Sequence, residues 1–203
     1  MAVDDWLLET AVDFPVLRVY EWDGDWVSFG YFLKFAEVSR QFDGQGVRLV
    51  RRATGGGVVD HRRDRTYTLV VPGREALARR RGDESYRLIH GAVVAALSAA
   101  GVAAALAGRD SGHGSELCFE NPVRWDVVGP GGRKIAGAGQ RRTRTGLLHQ
   151  GSLMAGEAAE GITERLAAAL AVAAEPCALR PDPGRVACLV GQRYGIPGWL
   201  RRR

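Results

Sequence analysis

The segment RRATGGGVVDH, Arg51 to His61, gathers two basic residues, a hydroxyl, three successive glycines and a histidine in one short stretch. Glycines reach positive φ and let backbone N–H groups come close to a ligand. Such a loop can therefore cradle a carboxylate, a phosphate or an acyl carbonyl. An isolated GGG also suits a tight turn beside an exposed arginine pair, and these residues alone leave both readings open. Two nucleotide loops are excluded: there is no GxxxxGK[ST], and no GxGxxG that opens a helix ahead of a ribose-binding acid. The other reactive side chains are three cysteines, Cys118, Cys177 and Cys188. They form no CxxC pair and are too few for a disulfide framework, so reduced thiols and no metal site are expected.

The elements that must position these residues follow from periodicity. Residues 16 to 22 (VLRVYEW) and Trp26 to Phe29, joined by an Asp23-Gly24-Asp25 turn, predict an early hairpin. Val47 to Arg51 reads as a strand entering the glycine loop, and Tyr67 to Val71 as a strand stopped by Pro72-Gly73. Tyr86, Ile89, Val93, Ala96, Leu97 and Ala100 recur at helical spacing, which predicts a helix from Glu84 to about Leu106, with Asp83 and Ser85 offering N-cap chemistry. Val123 to Val128, Arg133 to Ala138 and Leu147 to Leu153 read as an antiparallel meander. A second helix is expected from Gly161 to Ala174 and a short last one around Arg185 to Tyr194. Hairpins interrupted by one long helix predict an α/β (α+β) fold with a mixed, largely antiparallel sheet flanked by helices.

Composition narrows the classes. Hydrophobic residues make up 46% and charged residues 25% of the 203, so the chain has a core to bury and is expected to form a single domain over 1–203. Net charge is +5, but the arginines are scattered in short runs, which fits solvated faces, an acidic protein partner or a nucleotide rather than nucleic acid, and net charge does not choose among the first three. No stretch approaches the roughly 18 apolar residues that cross a bilayer, and MAVDDWLLET carries acids where a signal peptide has bases. No membrane association and a cytoplasmic location are expected.

Three stretches in order, RRATGGGVVDH, GRKIAG (with Arg133 to Gly137) and LHQGS (Leu148 to Ser152), resemble the biotin/lipoate protein ligase family on its lipoate ligase and octanoyltransferase branch. The resemblance covers roughly residues 15 to 175 and leaves 176–203 unmatched. It implies the fold of that family's catalytic domain and acyl transfer to a lysine of lipoyl carrier domains, those of 2-oxoacid dehydrogenase E2 or the glycine cleavage H protein. It also implies site residues. Lys134 would contact the acyl carbonyl, where a cation stabilises the oxyanion. Arg52, Thr54, Gly55, Gly56, Gly57 and His61 would line the acyl pocket, joined by Ile135, Ala136, Gly137, His149 and Gly151 of the other two motifs. An octanoyl tail contributes only about 5 kcal/mol by burial, so the activated form of the acyl group decides the mechanism.

Cys118 lies in a CFENP stretch similar to the loop that carries the nucleophile in one class of octanoyltransferases. A nearby Lys134 cation would favour its thiolate. The leading expectation is thus transfer from octanoyl-acyl carrier protein through a Cys118 thioester, with no cofactor. The alternative is an ATP-dependent lipoate ligase that uses ATP and Mg²⁺ through lipoyl-AMP, with a separate accessory chain. A non-catalytic lipoyl-binding member stands behind both. Cys177 and Cys188 match no motif and are expected to be structural.

Overall fold

A computed structural model describes residues 1–10, 13–108, 122–154, 156 and 160–202. The centre is a six-stranded antiparallel sheet. Its strands are β1 (Val16–Tyr20), β5 (Arg65–Pro72), β9 (Gly146–Leu153), β8 (Lys134–Arg142), β7 (Val127–Val128) and β6 (Ala105–Leu106), in that spatial order. A smaller sheet, β3 (Arg48–Arg51), β2 (Trp26–Phe29) and β4 (Val58–Asp60), pairs β2 parallel to β3 and antiparallel to β4.

Side chains alternate across the large sheet. Tyr67, Leu69 and Val71 of β5 and Leu147 and Leu153 of β9 face α4 (Gly82–Ser98) and α5 (Ile162–Leu170), where they pack on Ile89, Val93, Leu97 and Leu166. Val70 and Leu148 face the other way, onto Leu7 and Leu8 of α1 (Ala2–Glu9). That face also holds two buried acids of α1. Asp4 accepts from Gln150 Nε2 of β9 (2.8 Å) and pairs with Arg18 of β1. Asp5 pairs with Arg141 of β8 (3.2 Å) and with Arg193, and Tyr194 Oη donates to it (2.8 Å). Paired in this way, the carboxylates fix where α1 sits more than they add stability. Burial pushes the Asp4 carboxyl up, but the N-terminal ammonium and Arg18 outweigh it and hold it below its usual range.

The predicted meander of β7, β8 and β9 is present, although its first strand is only Val127–Val128 and Val123 to Asp126 form a turn, and the glycine loop does lie between two strands. Three expectations need correction. The early hairpin does not form: β1 joins the large sheet beside β5, whereas β2 joins the small one, because each presents its apolar face to a different core. The long helix stops at Ser98 rather than near Leu106; Gly101 turns left-handed (φ 77°), and Val102 N–H caps the Leu97 carbonyl at 3.0 Å. Asp83 and Ser85 do not cap that helix; its N-cap is Arg81, and Ser85 Oγ meets Gln140 of β8 instead (2.9 Å).

The unmatched C-terminal stretch forms α6 (Pro183–Leu189), a π-type turn (Val190–Tyr194) and α7 (Pro197–Leu200). It is stapled to β3 by Arg51, whose guanidinium bonds the carbonyls of Tyr31 (2.7 Å), Leu33 (2.7 Å), Trp199 (3.1 Å), Leu200 (3.1 Å) and Arg202 (2.7 Å). Trp199 Nε1 returns a bond to Arg51 O at 3.0 Å. Cys177 is exposed and outside any helix, while Cys188 is half-buried on α6; neither is a core residue. Among the described residues no helix is long and apolar enough to cross a membrane.

Candidate functional site

The glycine loop leaves β3 and folds over the middle of β8. Its shape is set by side chains and by missing ones. Arg52, buried at 5% exposure, donates to the carbonyls of Gly55 (3.2 Å) and Gly57 (2.8 Å) and to Ser28 Oγ (2.7 Å). Both Arg51 and Arg52 are thus interior groups, so the segment is not a turn flanked by an exposed arginine pair. Gly56 needs positive φ (95°), and a Cβ on Gly139 of β8 would land on the Gly55 carbonyl. Thr54 is fully buried and donates from Oγ1 to Gln150 Oε1 at 2.9 Å, which anchors the loop to β9.

Beneath the loop lies a narrow cleft lined among others by Ser28, Arg52, His61, Lys134, Gly137 and Gly151. Five residues that the sequence singled out therefore converge here: Arg52, His61, Lys134, Gly137 and Gly151. Lys134 enters from the first position of β8 and pairs with Asp126 (Nζ to Oδ2, 2.7 Å), both side chains being nearly inaccessible. Its ammonium arches over Gly137, where a Cβ would stand 2.6 Å from Nζ. Asp126 is held by its own turn: Val123 N–H donates to Oδ2 (2.8 Å), and Trp125 adopts a left-handed backbone (φ 72°). A bulky residue at positive φ is uncommon and costs on the order of 1–3 kcal/mol, a strain that here accompanies the placement of the acid.

The other predicted residues, Thr54, Gly55, Gly56, Gly57, Ile135, Ala136 and His149, do not line the cleft. Gly55 and Gly57 shape the loop through their carbonyls and Gly56 through its positive φ; besides the Arg52 bonds, Gly57 O accepts from Gly30 N–H at 3.1 Å. Ile135 and Ala136 are packed into the α4-side core. His149 is fully buried on that same side of β9, its Nδ1 2.9 Å from Gln140 Nε2 and its Nε2 3.3 Å from Tyr67 Oη, and does not line the cleft. The period of two in a strand explains this: of LHQGS, Gln150 and Ser152 present their side chains to the cleft, while His149 points away and Gly151 contributes backbone. Cys118 lies outside the described residues.

Several cleft residues escaped the sequence reading. Asp126 was accessible through the hairpin about Gly129 to Gly132: Val127 pairs with Ala136, which brings Asp126 close to Gly137. Ser28 gave no signal, because a serine in a short apolar strand has no motif. It nevertheless starts a directional chain. Arg52 donates to Ser28 Oγ, so the hydroxyl proton points to His61 Nε2 (2.5 Å), and Nδ1–H of His61 is directed to Asp64 Oδ2 (2.8 Å). Trp22 stacks on the imidazole at 4.3 Å.

Burial lowers the pKa of His61 despite the Asp64 carboxylate, lowers that of His90, and lowers that of His149 well below the usual 6.5. The unfolded chain therefore binds more protons than the folded one once pH falls through about 6.5, and stability is lost from there downward. The thermal midpoint is expected to fall steadily from pH 7.5 to pH 5, at up to about 1.4 kcal/mol per pH unit for each histidine involved. Asp4, held below the usual carboxylate value of 3.8, adds nothing in that window and acts only at lower pH. Melting curves across the range check this, and a flat midpoint would contradict it.

The comparisons with known proteins agree with this geometry. The family described as the lipoyl protein ligase A/B catalytic domain matches residues 1–187, a range that takes in α1 and most of α6 beyond the stretch recognisable by motif. Octanoyltransferase LipM of Oceanobacillus iheyensis is 34% identical over 145 residues, spanning 68% of this chain and 52% of that protein. Octanoyltransferase LipM of Carboxydothermus hydrogenoformans is 34% identical over 160 residues, spanning 76% and 59%. The chain thus spans little more than half the length of these curated relatives. Among solved structures, a lipoate-protein ligase A bound with ATP superposes with a TM-score of 0.76 at 20% identity, over 98% of this chain and 92% of that one. The bipartite lipoate protein ligase of Thermoplasma acidophilum, described with its E2 lipoyl domain, gives 0.75 at 18% identity, over 98% and 89%. These likenesses establish a lipoate-ligase catalytic-domain fold. With a family match over most of its length, and with the glycine loop, the GRKIAG strand and the LHQGS strand meeting at one cleft, the chain belongs to the lipoyl protein ligase A/B catalytic domain family.

Proposed function

We propose that the chain transfers an octanoyl group from octanoyl-acyl carrier protein to a lysine of a lipoyl carrier domain, such as that of a 2-oxoacid dehydrogenase E2 or a glycine cleavage H protein, through a thioester on Cys118. One observation carries the site: the Lys134 ammonium, buried against Asp126 and arched over Gly137, lines the cleft beneath the glycine loop. The relatives named octanoyltransferase support the choice of the octanoyl group.

In this reading the Cys118 thiolate attacks the thioester carbonyl of the donor, the C–S bond to the donor breaks, and the donor leaves as its thiol after taking up a proton. The carrier lysine amine then attacks the Cys118 thioester. An amide forms, the C–S bond to Cys118 breaks, and the amine proton returns to the sulfur. Each step builds negative charge on the acyl oxygen, and Lys134 meets that charge. A fixed cation in a desolvated site needs no reorganisation at that moment. Asp126 keeps the ammonium in place, and Arg52 holds the loop closed over the acyl group.

The test is intact mass spectrometry of the protein after incubation with octanoyl-acyl carrier protein. A thioester-linked octanoyl adduct is expected on the native chain and absent from Cys118→Ala, which should also lose transfer. Full transfer by Cys118→Ala would overturn the thioester route. AMP release from lipoate, ATP and Mg²⁺ would instead assign the chain to the ligase chemistry whose fold it shares.

A further inference from the structure

Asp126 can hold the Lys134 ammonium only if its turn is fixed, and α4 grips that turn at two points. Asp83 and His90 are about two turns apart on α4 and so share a face. His90 Nδ1 donates to the Trp125 carbonyl at 2.5 Å, and Trp125 Nε1 donates to Asp83 Oδ1. The neighbouring backbone groups find backbone partners. Trp125 N–H bonds the Ala107 carbonyl (2.9 Å), Asp126 N–H bonds the Val123 carbonyl (2.9 Å), and the Asp126 carbonyl accepts from Ala107 N–H (2.7 Å). Among the described residues no backbone N–H bonds the Trp125 carbonyl, and His90 serves it instead.

The chemistry of His90 shows what the residue is for. It is fully buried and meets the rings of Tyr86 (5.7 Å) and His149 (5.3 Å). A carbonyl only accepts, so Nδ1 carries the proton and Nε2 is a bare lone pair. Burial lowers the pKa of the imidazole and keeps it in this neutral form. Nε2 has no hydrogen-bond partner, which leaves a desolvated nitrogen in the interior. An apolar side chain would fill the same space without that cost, so packing does not account for a histidine here. The bond to Trp125 does.

We propose that His90 is a positioning residue of the acyl-transfer site: by holding the Trp125 carbonyl it fixes the strained turn from which Asp126 reaches Lys134. Its effect on rate rests on the acyl-transfer reading, whereas its effect on the placement of the ammonium rests on geometry alone. Trp125 stands at φ 72°, a conformation that a bulky residue leaves when nothing restrains it. Once released, the peptide that joins Trp125 to Asp126 is free to rotate. The Asp126 carboxylate, 2.7 Å from Lys134 Nζ, moves with that peptide and takes the ammonium with it. Misplacement by about 1 Å is enough to lower a rate by about a hundredfold. Asp83 supplies the lesser grip, because its side chain is exposed and the indole that it bonds lies away from the backbone.

The experiment compares His90→Asn, His90→Gln and His90→Leu. Asparagine puts its amide nitrogen where histidine has Nδ1, glutamine puts its own near the position of Nε2, and leucine fills the space without a donor. Octanoyl transfer and the NMR signal of the Lys134 ammonium are followed in parallel, and melting midpoints establish that each variant is folded. His90→Asn is expected to keep the Lys134 signal and to stay within about threefold of the native kcat, whereas His90→Gln and His90→Leu shift or broaden the signal and lower kcat by about tenfold to a hundredfold, with KM for the donor unchanged. A packing role alone predicts the opposite order, because asparagine fills the space least well of the three. A Lys134 signal unmoved in folded His90→Gln and His90→Leu would overturn the proposal, and so would an equal loss in all three variants. A native protein that transfers no octanoyl group, with the Lys134 signal still moved by His90→Leu and not by His90→Asn, would leave the positioning role standing and remove the acyl-transfer reading instead.

Discussion

Lys134→Ala is expected to lower acyl transfer by about a hundredfold to a thousandfold, the usual effect of deleting a group that stabilises a developing oxyanion. It should also cost stability. The ion pair with Asp126 is interior, with side-chain exposures of 3% and 4%, and removing one partner strands the other charge. Stranding a buried charge typically costs about 3–5 kcal/mol. The two effects can be separated, because Lys134→Met combined with Asp126→Asn removes both charges and should recover most of the lost stability. It should recover none of the transfer rate, since no cation then faces the acyl oxygen. Melting midpoints and initial rates of the three proteins decide the matter. A double variant as active as the native chain would show that the pair is only structural.

Gly139→Ala is expected to damage the site as severely by a different route. Its new Cβ would fall on the Gly55 carbonyl and within 3.1 Å of Thr54 Oγ1, so the glycine loop itself must retreat from β8. Overpacking of this kind typically costs about 1–3 kcal/mol. Gly139 lines the cleft, and the displaced Gly55 carbonyl is bonded by Arg52, which lines it too, so transfer should fall further than stability does. Gly137→Ala makes an instructive contrast, because its Cβ meets the flexible end of Lys134 rather than backbone. That variant should keep the loop in place while displacing the ammonium from Asp126, so its loss of stability should follow that of Lys134→Ala. Gly91→Ala on α4 is the control, with nothing within 4 Å of the new methyl. It should leave the rate unchanged and raise stability by about 0.5–1 kcal/mol. If Gly139→Ala matched Gly91→Ala in activity, the loop would have no role in holding the acyl group.

Much of this architecture was legible in the residues. The turn at Gly129 to Gly132 and the polar run at Gln140 to Gly146 predicted a meander, and the helical spacing from Tyr86 to Leu97, which reports burial on one face, predicted a long helix. Three short motifs drew attention to the residues that meet at the cleft. What local pattern could not reveal was partnership across the chain. The turn at Asp23 to Asp25 looks like a hairpin, yet β1 finds more apolar surface beside β5 than beside β2. α1 escaped notice because its buried face includes Asp4 and Asp5, whose partners Arg18, Arg141 and Arg193 are far away in sequence. His149 was drawn into the site by its motif neighbours, although the pleat turns it to the opposite face. Asp64 was overlooked because only the folded chain brings His61, Thr66 and Ser152 together on one of its oxygens.

The central claim is the movement of an acyl group onto a carrier lysine, and peptide-level mass spectrometry of a lipoyl carrier domain tests it most directly. After incubation with the protein and octanoyl-acyl carrier protein in the absence of ATP, the account predicts octanoylation of the carrier lysine, lost with Lys134→Ala. A carrier lysine left unmodified both by octanoyl-acyl carrier protein and by lipoate with ATP and Mg²⁺ would contradict it.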